Sequence, residues 1–441
     1  MFYIIEEESK LDSLEKLVKL GCYVEVISSN DYYHPKLTSV VAVYIRSISS
    51  KHGFIIPINH TEGINVDKER VYQLLLKASK IYTHNKKTLL YYFNLQEAID
   101  LSLLYSMTNF KKLEIVNSNS TLNWYYSKHN DNKDVNRLAP ITKLYERCEN
   151  TYESLKQVID LEIPSGFPFY NNLATNVFFL LEQNGVGTIY DAFNKTLKPK
   201  NPIYNSIDNV VYSEYNLYNN TSRPTNTFNS VNFAAIPKAE EYRKCFKPQN
   251  DYFVELDFDG YHLRLLADQL DYDLTEESAH KQLAKHYFGT EDITDEQYKE
   301  AKQINFQAIY GKIPEEHKNL EIFKLIQGYI DSMWKSYTEA GYVCNPQSGK
   351  EFNSKLQDMN PAKLMNYMMQ SLETSNNIII LKEILRYLRD KKSFITLYTY
   401  DAILFDFDKE DGKETLEDIK IIMEKEGKYP IKFKYSTDLV L

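Results

Sequence analysis

The sequence predicts a multidomain protein of mixed α and β structure. The chain has 441 residues, of which 43% are hydrophobic, enough to fill the cores of two or three domains. Strand-like and helical stretches alternate through the N-terminal third, whereas the C-terminal half combines strands with long helices. These observations favour an N-terminal α/β domain followed by a larger α+β region.

The composition limits the classes of protein to consider. The net charge of −9 argues weakly against a DNA-coating protein, although a basic groove can lie within an acidic chain. The acidic start MFYIIEEESK is unlike a signal peptide, and no apolar run reaches the roughly 18 residues of a membrane span. We therefore expect no membrane association and a cytoplasmic location, in the host cytoplasm if the protein is viral. Free thiols are expected at the four widely spaced cysteines, Cys22, Cys148, Cys245 and Cys344.

The N-terminal part has the pattern of an α/β domain. Adjacent strands are predicted at CYVEVIS, VVAVYIRSI and HGFIIPI, and the helical pattern DKERVYQLLLKAS leads into a further strand at IYTHN. A long helical pattern over residues 135–167 is broken at Pro164, which predicts a domain boundary there. Residues 196–235 are rich in Asn, Thr, Ser and Pro, which fits either a flexible linker or an ordered, ligand-shaped loop.

The C-terminal half contains the segments that carry chemistry. A strand is predicted at DYFVELDF, and helices at YHLRLLADQL, at EQYKEAKQINFQAIYGK and along residues 363–391. A hairpin follows, in which SFITL and AILFDF flank a tip formed by Tyr398, Thr399, Tyr400 and Asp401. Tight hairpins usually turn on Gly or Asn, so a carboxylate at this tip requires another explanation.

One predicted helix face combines aromatic residues with a lysine. Tyr298, Lys302, Phe306 and Tyr310 recur at every fourth position and therefore share a face. This pattern is compatible with an amphipathic helix whose lysine extends to solvent. It is equally compatible with a platform on which a base or sugar stacks while Lys302 meets a phosphate.

Two aspartates flank this helix in the sequence. Asp257 ends a predicted strand, where an aspartate most often caps a helix or forms a turn, and Asp401 lies at the hairpin tip. Together with Lys302 they suggest nucleotidyl transfer, which requires two divalent ions roughly 3.5–4 Å apart. Mg²⁺ takes few protein ligands besides water and phosphate, so two aspartates are sufficient. A cation is then needed where charge develops on the departing pyrophosphate.

Seven segments, in the same order, resemble family A DNA polymerases, the class of bacterial DNA polymerase I and many phage replicases. LDFDGYHLRLLA resembles motif A, EQYKEAKQINFQAIYG resembles motif B of the fingers, and LYTYDAILFDF resembles motif C. The supporting matches are TSRPTNTFNSVNFAAIP, AHKQLAKHYFG, GYVCNPQSGKEF and NYMMQSLETSNN. The resemblance covers residues from about 165 to 441 and indicates a compact, phage-type polymerase.

The resemblance implies a right-hand polymerase, preceded by a degenerate RNase H-like 3′–5′ exonuclease domain. The exonuclease-like domain would occupy residues 1–152 and the polymerase domain residues 153–441. The Asn- and Thr-rich segment then becomes an ordered loop that lines DNA. Within the polymerase domain, we expect the thumb at about 153–205, the palm at about 206–275 and 340–441, and the fingers at about 276–339.

The resemblance also implies roles for single residues. Asp257 and Asp401 would ligate two Mg²⁺ ions, for which Mn²⁺ can substitute, with help from the carbonyl of Phe258. Lys302 would contact the triphosphate and protonate the leaving pyrophosphate. The nucleotide-binding residues would be His262, His280 near the β- or γ-phosphate, Lys299, Phe306 against the sugar, and Tyr310 near the templating base. The DNA-binding residues would be Arg223, Arg264, Asn366, Gln370 and Tyr400.

Four positions depart from the family pattern. Tyr298 replaces an arginine that grips the γ-phosphate, and Lys299 beside it is an imperfect substitute. His262 replaces a glutamate that helps to exclude a ribose 2′-hydroxyl, which puts sugar selectivity in doubt. Ala402 replaces an auxiliary glutamate, and Ala362 replaces a minor-groove arginine.

The implied exonuclease domain has lost most of its acidic residues. Val24 and Val26 occupy the positions of the first two acids, and Leu89 occupies that of the third. Only the fourth position is acidic, because it holds Glu149. The tyrosine that belongs to the same family pattern is present as Tyr145. We expect a domain without nuclease activity that has a structural or DNA-guiding role, unless the domain is unrelated to exonucleases.

The leading hypothesis is a template-directed DNA polymerase, phage-encoded and without proofreading, that extends a primer 3′-hydroxyl with dNTPs. It would act in DNA replication as a monomer, on primer–template DNA, with a helicase–primase or single-strand-binding protein as accessory partners. One alternative is a single-subunit RNA polymerase or a ribonucleotide-tolerant polymerase. Another is a catalytically impaired, DNA-binding relative of polymerases.

Overall fold

The chain folds as two compact units. The computed structural model describes residues 3–50, 52–115, 120–129, 132–199, 209–228, 231–274 and 278–436. The N-terminal unit comprises Met1–Gly185, Leu197–Tyr218 and Thr227–Val231, and the C-terminal unit comprises Val186–Thr196, Asn219–Asn226 and Asn232–Leu441. No helix within the described ranges is long and apolar enough to cross a membrane. The four cysteines are free, as predicted.

The predicted domain boundaries lie within one of these units or outside the described residues. The boundary between an exonuclease-like and a polymerase domain at residue 152 lies inside the N-terminal unit and stays a prediction. The predicted end of the thumb at about residue 205 and the predicted start of the fingers at about 276 lie outside the described residues.

The first part of the chain alternates strands and helices, as predicted. Its elements in chain order are β1 (Tyr3–Ile4), α1 (Glu8–Val18), β2 (Cys22–Ser28), β3 (Val40–Ser47), β4 (Gly53–Pro57), α2 (Lys68–Leu75), β5 (Ile81–Thr83), α3 (Lys86–Tyr92), β6 (Ile99–Asp100), α4 (Leu101–Asn109), α5 (Ser120–His129), α6 (Val135–Leu138), α7 (Ile141–Leu155), a π-helical stretch (Phe169–Ala174) and α8 (Thr175–Glu182).

The six strands form one mixed sheet in the order β1-β4-β3-β2-β5-β6. The three strands predicted to be adjacent, β2, β3 and β4, are antiparallel neighbours, and β5 runs parallel to β2. Every residue of β2 is buried, because both faces of the sheet are covered. Its valines pack in an apolar cluster with side chains of α1, α2 and α3.

The long helical pattern over residues 135–167 does not form one helix, so this prediction was wrong in extent. Helix α6 ends at Leu138 and α7 begins only at Ile141, with Pro140 between them. Proline has no N–H to continue a helix and disfavours helical geometry in the residue before it. Helix α7 ends at Leu155, ahead of Pro164, and a short 3₁₀ turn follows over Lys156–Val158.

Short elements connect the two halves of the chain. They are β7 (Val186–Gly187), α9 (Tyr190–Leu197), β8 (Val210–Val211), β9 (Tyr215–Asn216), β10 (Thr225–Phe228), β11 (Val231–Asn232) and α10 (Glu240–Arg243). Four of these strands, β8, β9, β10 and β11, lie in the Asn- and Thr-rich segment. Its described residues therefore form defined structure and not an extended linker.

The remaining chain contains long helices and an antiparallel sheet. Its elements are β12 (Tyr252–Phe258), α11 (Tyr261–Gln269), α12 (Ala279–Phe288), α13 (Asp295–Ile309), α14 (Glu321–Ala340), β13 (Tyr342–Cys344), β14 (Glu351–Asn353), α15 (Pro361–Tyr387), β15 (Phe394–Thr399), β16 (Ala402–Phe407), α16 (Gly412–Glu424) and β17 (Ile431–Ser436). The larger sheet has the order β15-β16-β12-β17. The predicted strand, hairpin and three helices are all present.

Local sequence signals fix the N-termini of helices α13 and α15. Helix α13 begins with a capping box, in which the side chains of Thr294 and Gln297 each bond the backbone N–H of the other residue. Helix α15 begins at Pro361, and the side chain of Asn360 accepts a hydrogen bond from the N–H of Lys363 at 2.9 Å. Both signals satisfy N–H groups that the helix itself leaves unpaired.

The hairpin between β15 and β16 turns without glycine. Tyr400 takes the positive φ angle of 63° that the tight turn needs, which is unusual for an aromatic residue. The side chain of Asn377 on α15 compensates, because its Nδ2 donates to the carbonyl of Tyr400 at 2.6 Å and to the hydroxyl of Tyr398 at 3.0 Å. A buried helix thus holds the tip that carries Asp401.

Candidate active site

The sheet brings Asp257 and Asp401 to the same place. Strand β12 pairs with β16 in antiparallel register, with Asp257 opposite Ala402. Just beyond this pair, the backbone N–H of Phe258 donates to the carbonyl of Asp401 at 3.1 Å. Both carboxylates line one cavity, so the expected convergence of these two residues is observed.

This cavity has a volume of about 330 Å³ and lies within the C-terminal unit. It contains most of the residues that the sequence singled out for metal and nucleotide binding. Those residues are Asp257, Phe258, His262, His280, Lys302, Phe306, Tyr310 and Asp401, together with Arg223. Lys299, Arg264, Asn366, Gln370 and Tyr400 are not part of its lining.

The two carboxylates lie in an environment that disfavours their negative charges. Burial, and then the charge of Asp401, raises the pKa of the Asp257 carboxyl to about 6. Burial, and then the charge of Glu373, raises the pKa of the Asp401 carboxyl above its ordinary value. A bound cation would stabilise two neighbouring carboxylates in such an environment, because it offsets both their burial and their mutual repulsion.

Three charged residues that sequence reasoning did not assign to the site also line the cavity, namely Asp259, Glu373 and Lys432. Lys432 on β17 lies opposite Asp257 in the sheet and forms an ion pair with Asp259. The other oxygen of Asp259, Oδ2, is buried and has no hydrogen-bond partner among the described residues. The alternation of lysines in IKFKYS was the available signal for Lys432, since it marks a strand with one charged face.

Helix α13 presents the predicted mixed face to the cavity. Tyr298, Lys302, Phe306 and Tyr310 all line it. Lys302 is exposed, and the ring of Phe306 is 49% exposed, so neither residue is used for core packing. An exposed lysine fits both interpretations of this face, and it is the exposure of the Phe306 ring that favours a binding face over an amphipathic helix packed on a core. Lys299 is exposed outside the lining, so the departure at Tyr298 is not compensated from within the cavity.

His280 on α12 is buried at the side of the cavity and stacks near Phe306, with the ring centroids 6.5 Å apart. Burial lowers the pKa of its imidazole to about 4, so the ring is neutral at pH 7. The amide Nδ2 of Asn305 lies 3.0 Å from Nδ1 of the ring. Because an amide nitrogen only donates, Nδ1 accepts and the ring proton resides on Nε2.

His262 joins helix α13 to helix α15. Its Nδ1 lies 3.0 Å from the hydroxyl of Tyr310, and its Nε2 lies 3.1 Å from Oε2 of Glu373. Glu373 also forms an ion pair with Arg223. Sequence reasoning missed Glu373, although it follows Asn366 and Gln370 at helical spacing and so shares their face of α15.

The predicted DNA-binding residues fall into two environments. Gln370 accepts a hydrogen bond from Thr221 at 3.2 Å and donates one to Asn366 at 3.0 Å, which forms a polar group beside the loop that carries Arg223. Arg264, in contrast, is 3% exposed and donates to the carbonyls of Asp259 at 3.1 Å and Leu274 at 2.8 Å. This placement gives Arg264 a structural role in the turn after β12, and its contact to DNA stays a prediction.

The positions assigned to lost exonuclease acids lie in the N-terminal unit. Val24, Val26 and Leu89 belong to its apolar core cluster. Glu149 accepts hydrogen bonds from the hydroxyls of Tyr44 and Tyr145, both at 2.6 Å, and forms an ion pair with Arg46. Its charge is therefore already balanced by protein groups.

The acidic donors on the cavity lining are carboxylate oxygens, which suit Mg²⁺ better than a softer metal. No group of three or more His, Cys, Asp or Glu side chains within the described ranges is arranged to hold a metal. Asp257 at the end of β12 and Asp401 at the β15–β16 hairpin tip instead offer hard oxygen donors, and Phe258 lines the same cavity. Mg²⁺ prefers such oxygen ligands and fills the rest of its shell with water and substrate phosphates.

Comparisons with known proteins bear on the fold. No protein-family model matches the chain, and no curated protein matches it in sequence. Among solved structures, the chain is similar to the POL domain of Pol1 from M. smegmatis, which was solved in complex with DNA primer–template and dNTP. The TM-score is 0.69 at 12% sequence identity, over 99% of each chain. The chain therefore has the mixed α/β fold of a DNA polymerase domain.

Proposed function

We propose that the protein is a template-directed DNA polymerase that extends a primer 3′-hydroxyl with dNTPs. The observation that carries this proposal is the convergence of Asp257 and Asp401 in one cavity, with Lys302 of helix α13 on the same lining. The similarity to a polymerase domain supports it at the level of the fold.

Asp257 and Asp401, with the backbone carbonyl of Phe258, would hold two Mg²⁺ ions, and Mn²⁺ could replace them. When bound, such a pair activates the primer hydroxyl and binds the triphosphate oxygens. The raised pKa of Asp257, about 6, supports this assignment, because two carboxylates close together are stabilised by divalent charge. The two carboxylates would thereby bring the reacting oxygens together in one cavity.

The nucleotide would lie along α13. Lys302 is suited to meet the triphosphate and to supply a proton to the departing pyrophosphate, since it is a cation on the cavity lining. His280 would donate from Nε2 to a phosphate oxygen as a neutral ring, because its pKa is about 4. Phe306 would pack on the sugar and Tyr310 would lie near the templating base. Lys299, outside the lining, would act on the triphosphate only at longer range.

Primer–template DNA would be bound by the polar group formed by Asn366 and Gln370, by Tyr400 at the hairpin tip and by Arg223. In this assignment the palm contains β12, β15 and β16, the fingers contain α12, α13 and α14, and the thumb precedes residue 206. DNA affinity would weaken steeply with salt, because contacts to phosphates dominate such binding. We further propose that the enzyme is phage-encoded and works with replication accessory proteins.

The N-terminal region to about residue 152 would be a degenerate exonuclease domain with a structural or DNA-guiding role. Aliphatic side chains at Val24, Val26 and Leu89 support this, since they cannot hold a metal ion. The pairing of Glu149 with Arg46 supports it further.

Primer extension tests the proposal. Purified protein with Mg²⁺, a primed template and dNTPs is expected to add nucleotides directed by the template, and rNTPs in place of dNTPs are expected to be used far less well. Preferential use of rNTPs would favour the ribonucleotide polymerase alternative. Absence of any addition, in protein that still binds the primed template, would favour the DNA-binding alternative, for which Tyr298, Ala362 and Ala402 are the supporting departures.

A further inference from the structure

Glu373 lies at the centre of a chain of contacts within the C-terminal unit. It belongs to α15, is 1% exposed and lines the cavity. Arg223 donates from Nη2 to Oε1 of Glu373 at 3.0 Å, and Arg223 Nε lies 2.9 Å from Oε2. His262 Nε2 lies 3.1 Å from the same Oε2. One buried carboxylate therefore faces a guanidinium on one side and an imidazole on the other.

The contacts continue from His262 to helix α13. With Nε2 of the ring facing a carboxylate, the tautomer that carries its proton on Nε2 is favoured. Nδ1 is then free to accept a hydrogen bond from the hydroxyl of Tyr310, 3.0 Å away. Nδ1 is thus hydrogen-bonded while Nε2 lies beside a carboxylate oxygen at ion-pair distance, and both contacts oppose rotation of the imidazole.

The contacts also continue from Arg223 to the hairpin tip. The Arg223 guanidinium lies 3.8 Å from the centre of the Tyr400 ring, in cation–π geometry. Tyr400 immediately precedes Asp401. The negative charge of Glu373 also contributes to the raised pKa values of Asp401 and Tyr310, which indicates that it acts on both ends of this chain.

We propose that Glu373 is a positioning residue for sugar selection, which fixes the His262 ring against Tyr310 and thereby sets discrimination between deoxyribo- and ribonucleotides. This inference rests on the proposed polymerase function. A ring with Nδ1 hydrogen-bonded and Nε2 attracted to a carboxylate presents a fixed wall to an incoming sugar, whereas a ring without that attraction can turn and admit an additional hydroxyl. Through Arg223, the same carboxylate holds the tip that carries Asp401.

The test compares wild type with Glu373→Gln, which keeps the size of the side chain and removes its charge. For each protein, kcat/KM is measured for a dNTP and for the matching rNTP on the same primed template. We expect the dNTP-to-rNTP ratio to fall about tenfold, because a neutral amide attracts the N–H at Nε2 of His262 less strongly than a carboxylate does. A purely structural role would lower both values equally, because the ratio does not depend on the fraction of folded enzyme. Glu383→Gln, on the same helix and half-buried away from the cavity, should leave the ratio unchanged.

A second variant covers the case in which Glu373→Gln leaves Arg223 as an unpaired buried charge and does not fold. Arg223→Gln combined with Glu373→Gln removes both charges, and the same fall in the ratio is expected. If wild type extends primers and selects dNTPs while the folded variants keep its ratio, this proposal is overturned and the polymerase function stands. If wild type extends no primer, the proposed function fails and this inference fails with it.

Discussion

The backbone N–H of Phe258 donates to the carbonyl of Asp401 at 3.1 Å and so joins the end of β12 to the tip of the β15–β16 hairpin. These two segments are distant in the sequence. The pairing of β12 with β16 and the hold of Asn377 on the tip make their meeting a property of the folded sheet. The predictions for Lys302, Tyr298, Asp257 and Asp401 depend on the cavity beside this junction.

Lys302→Ala should slow nucleotide incorporation by a factor of about 10² to 10³. Removal of one preorganised electrostatic contact to developing charge is worth about 3 kcal/mol in comparable enzymes. Single-turnover incorporation on a primed template measures the effect. Lys281→Ala, which removes an exposed lysine of α12 outside the cavity, serves as the matched control and should retain the wild-type rate.

Tyr298→Arg should lower the KM for dNTPs by about fivefold, which corresponds to about 1 kcal/mol of added binding. Tyr298 lies on the cavity lining one turn before Lys302, so an arginine there would add a cation beside the triphosphate. Steady-state kinetics at saturating primer–template give the value. An unchanged or higher KM would mean that the triphosphate does not extend along this face of α13.

His34 should make the protein less stable in acid. Burial first, and then the positive charge of Lys87, lowers the pKa of its imidazole from 6.5 to about 3. Below pH 6.5 the unfolded chain takes up a proton that the folded protein excludes, so the free energy of unfolding falls as the pH decreases toward 3. His34→Asn cannot take up this proton. Its stability deficit relative to wild type should therefore shrink by about 3 kcal/mol between pH 7.5 and 4.5.

Urea unfolding at the two pH values measures that difference. His129→Asn, on α5 and exposed, is the control for removal of a histidine that is not buried. A constant deficit for His34→Asn would show that His34 is protonated in the folded protein.

The protein should not degrade the 3′ end of DNA. Val24, Val26 and Leu89 cannot ligate a metal ion, and Glu149 is paired with Arg46. Labelled single-stranded DNA incubated with Mg²⁺ or Mn²⁺ should keep its length. Metal-dependent loss of 3′ nucleotides that persists in Asp401→Asn would contradict the assignment, because it would have to come from another site.

The sequence allowed most local elements to be predicted. Strand β2 was predicted from the alternation in CYVEVIS, and helix α13 from the period-four spacing in EQYKEAKQINFQAIYG. Both predictions succeeded because these segments have strong patterns and clear ends. The helical pattern over 135–167 failed because Pro140 has more influence on the backbone than the apolar spacing around it.

Contacts between distant segments could not be predicted from patterns of spacing. Glu373 lies within a helix whose periodicity says which residues share a face, but not that His262 and Arg223 meet there. The ion pair of Lys432 with Asp259 likewise depends on β17 lying beside β12. Both contacts arise from tertiary packing, and both alter the charge of a cavity whose main residues the sequence did indicate.

Primer extension by Asp257→Asn and Asp401→Asn, alongside binding of the same primed template, tests the central claim most directly. Each asparagine keeps the shape of the side chain and removes a charge that would hold the metal pair. We predict that extension falls at least about a thousandfold in both variants, while affinity for the primed template stays close to that of wild type. Asp331→Asn, an exposed carboxylate of α14, should retain full activity. Extension at near wild-type rates by either site variant would contradict the account.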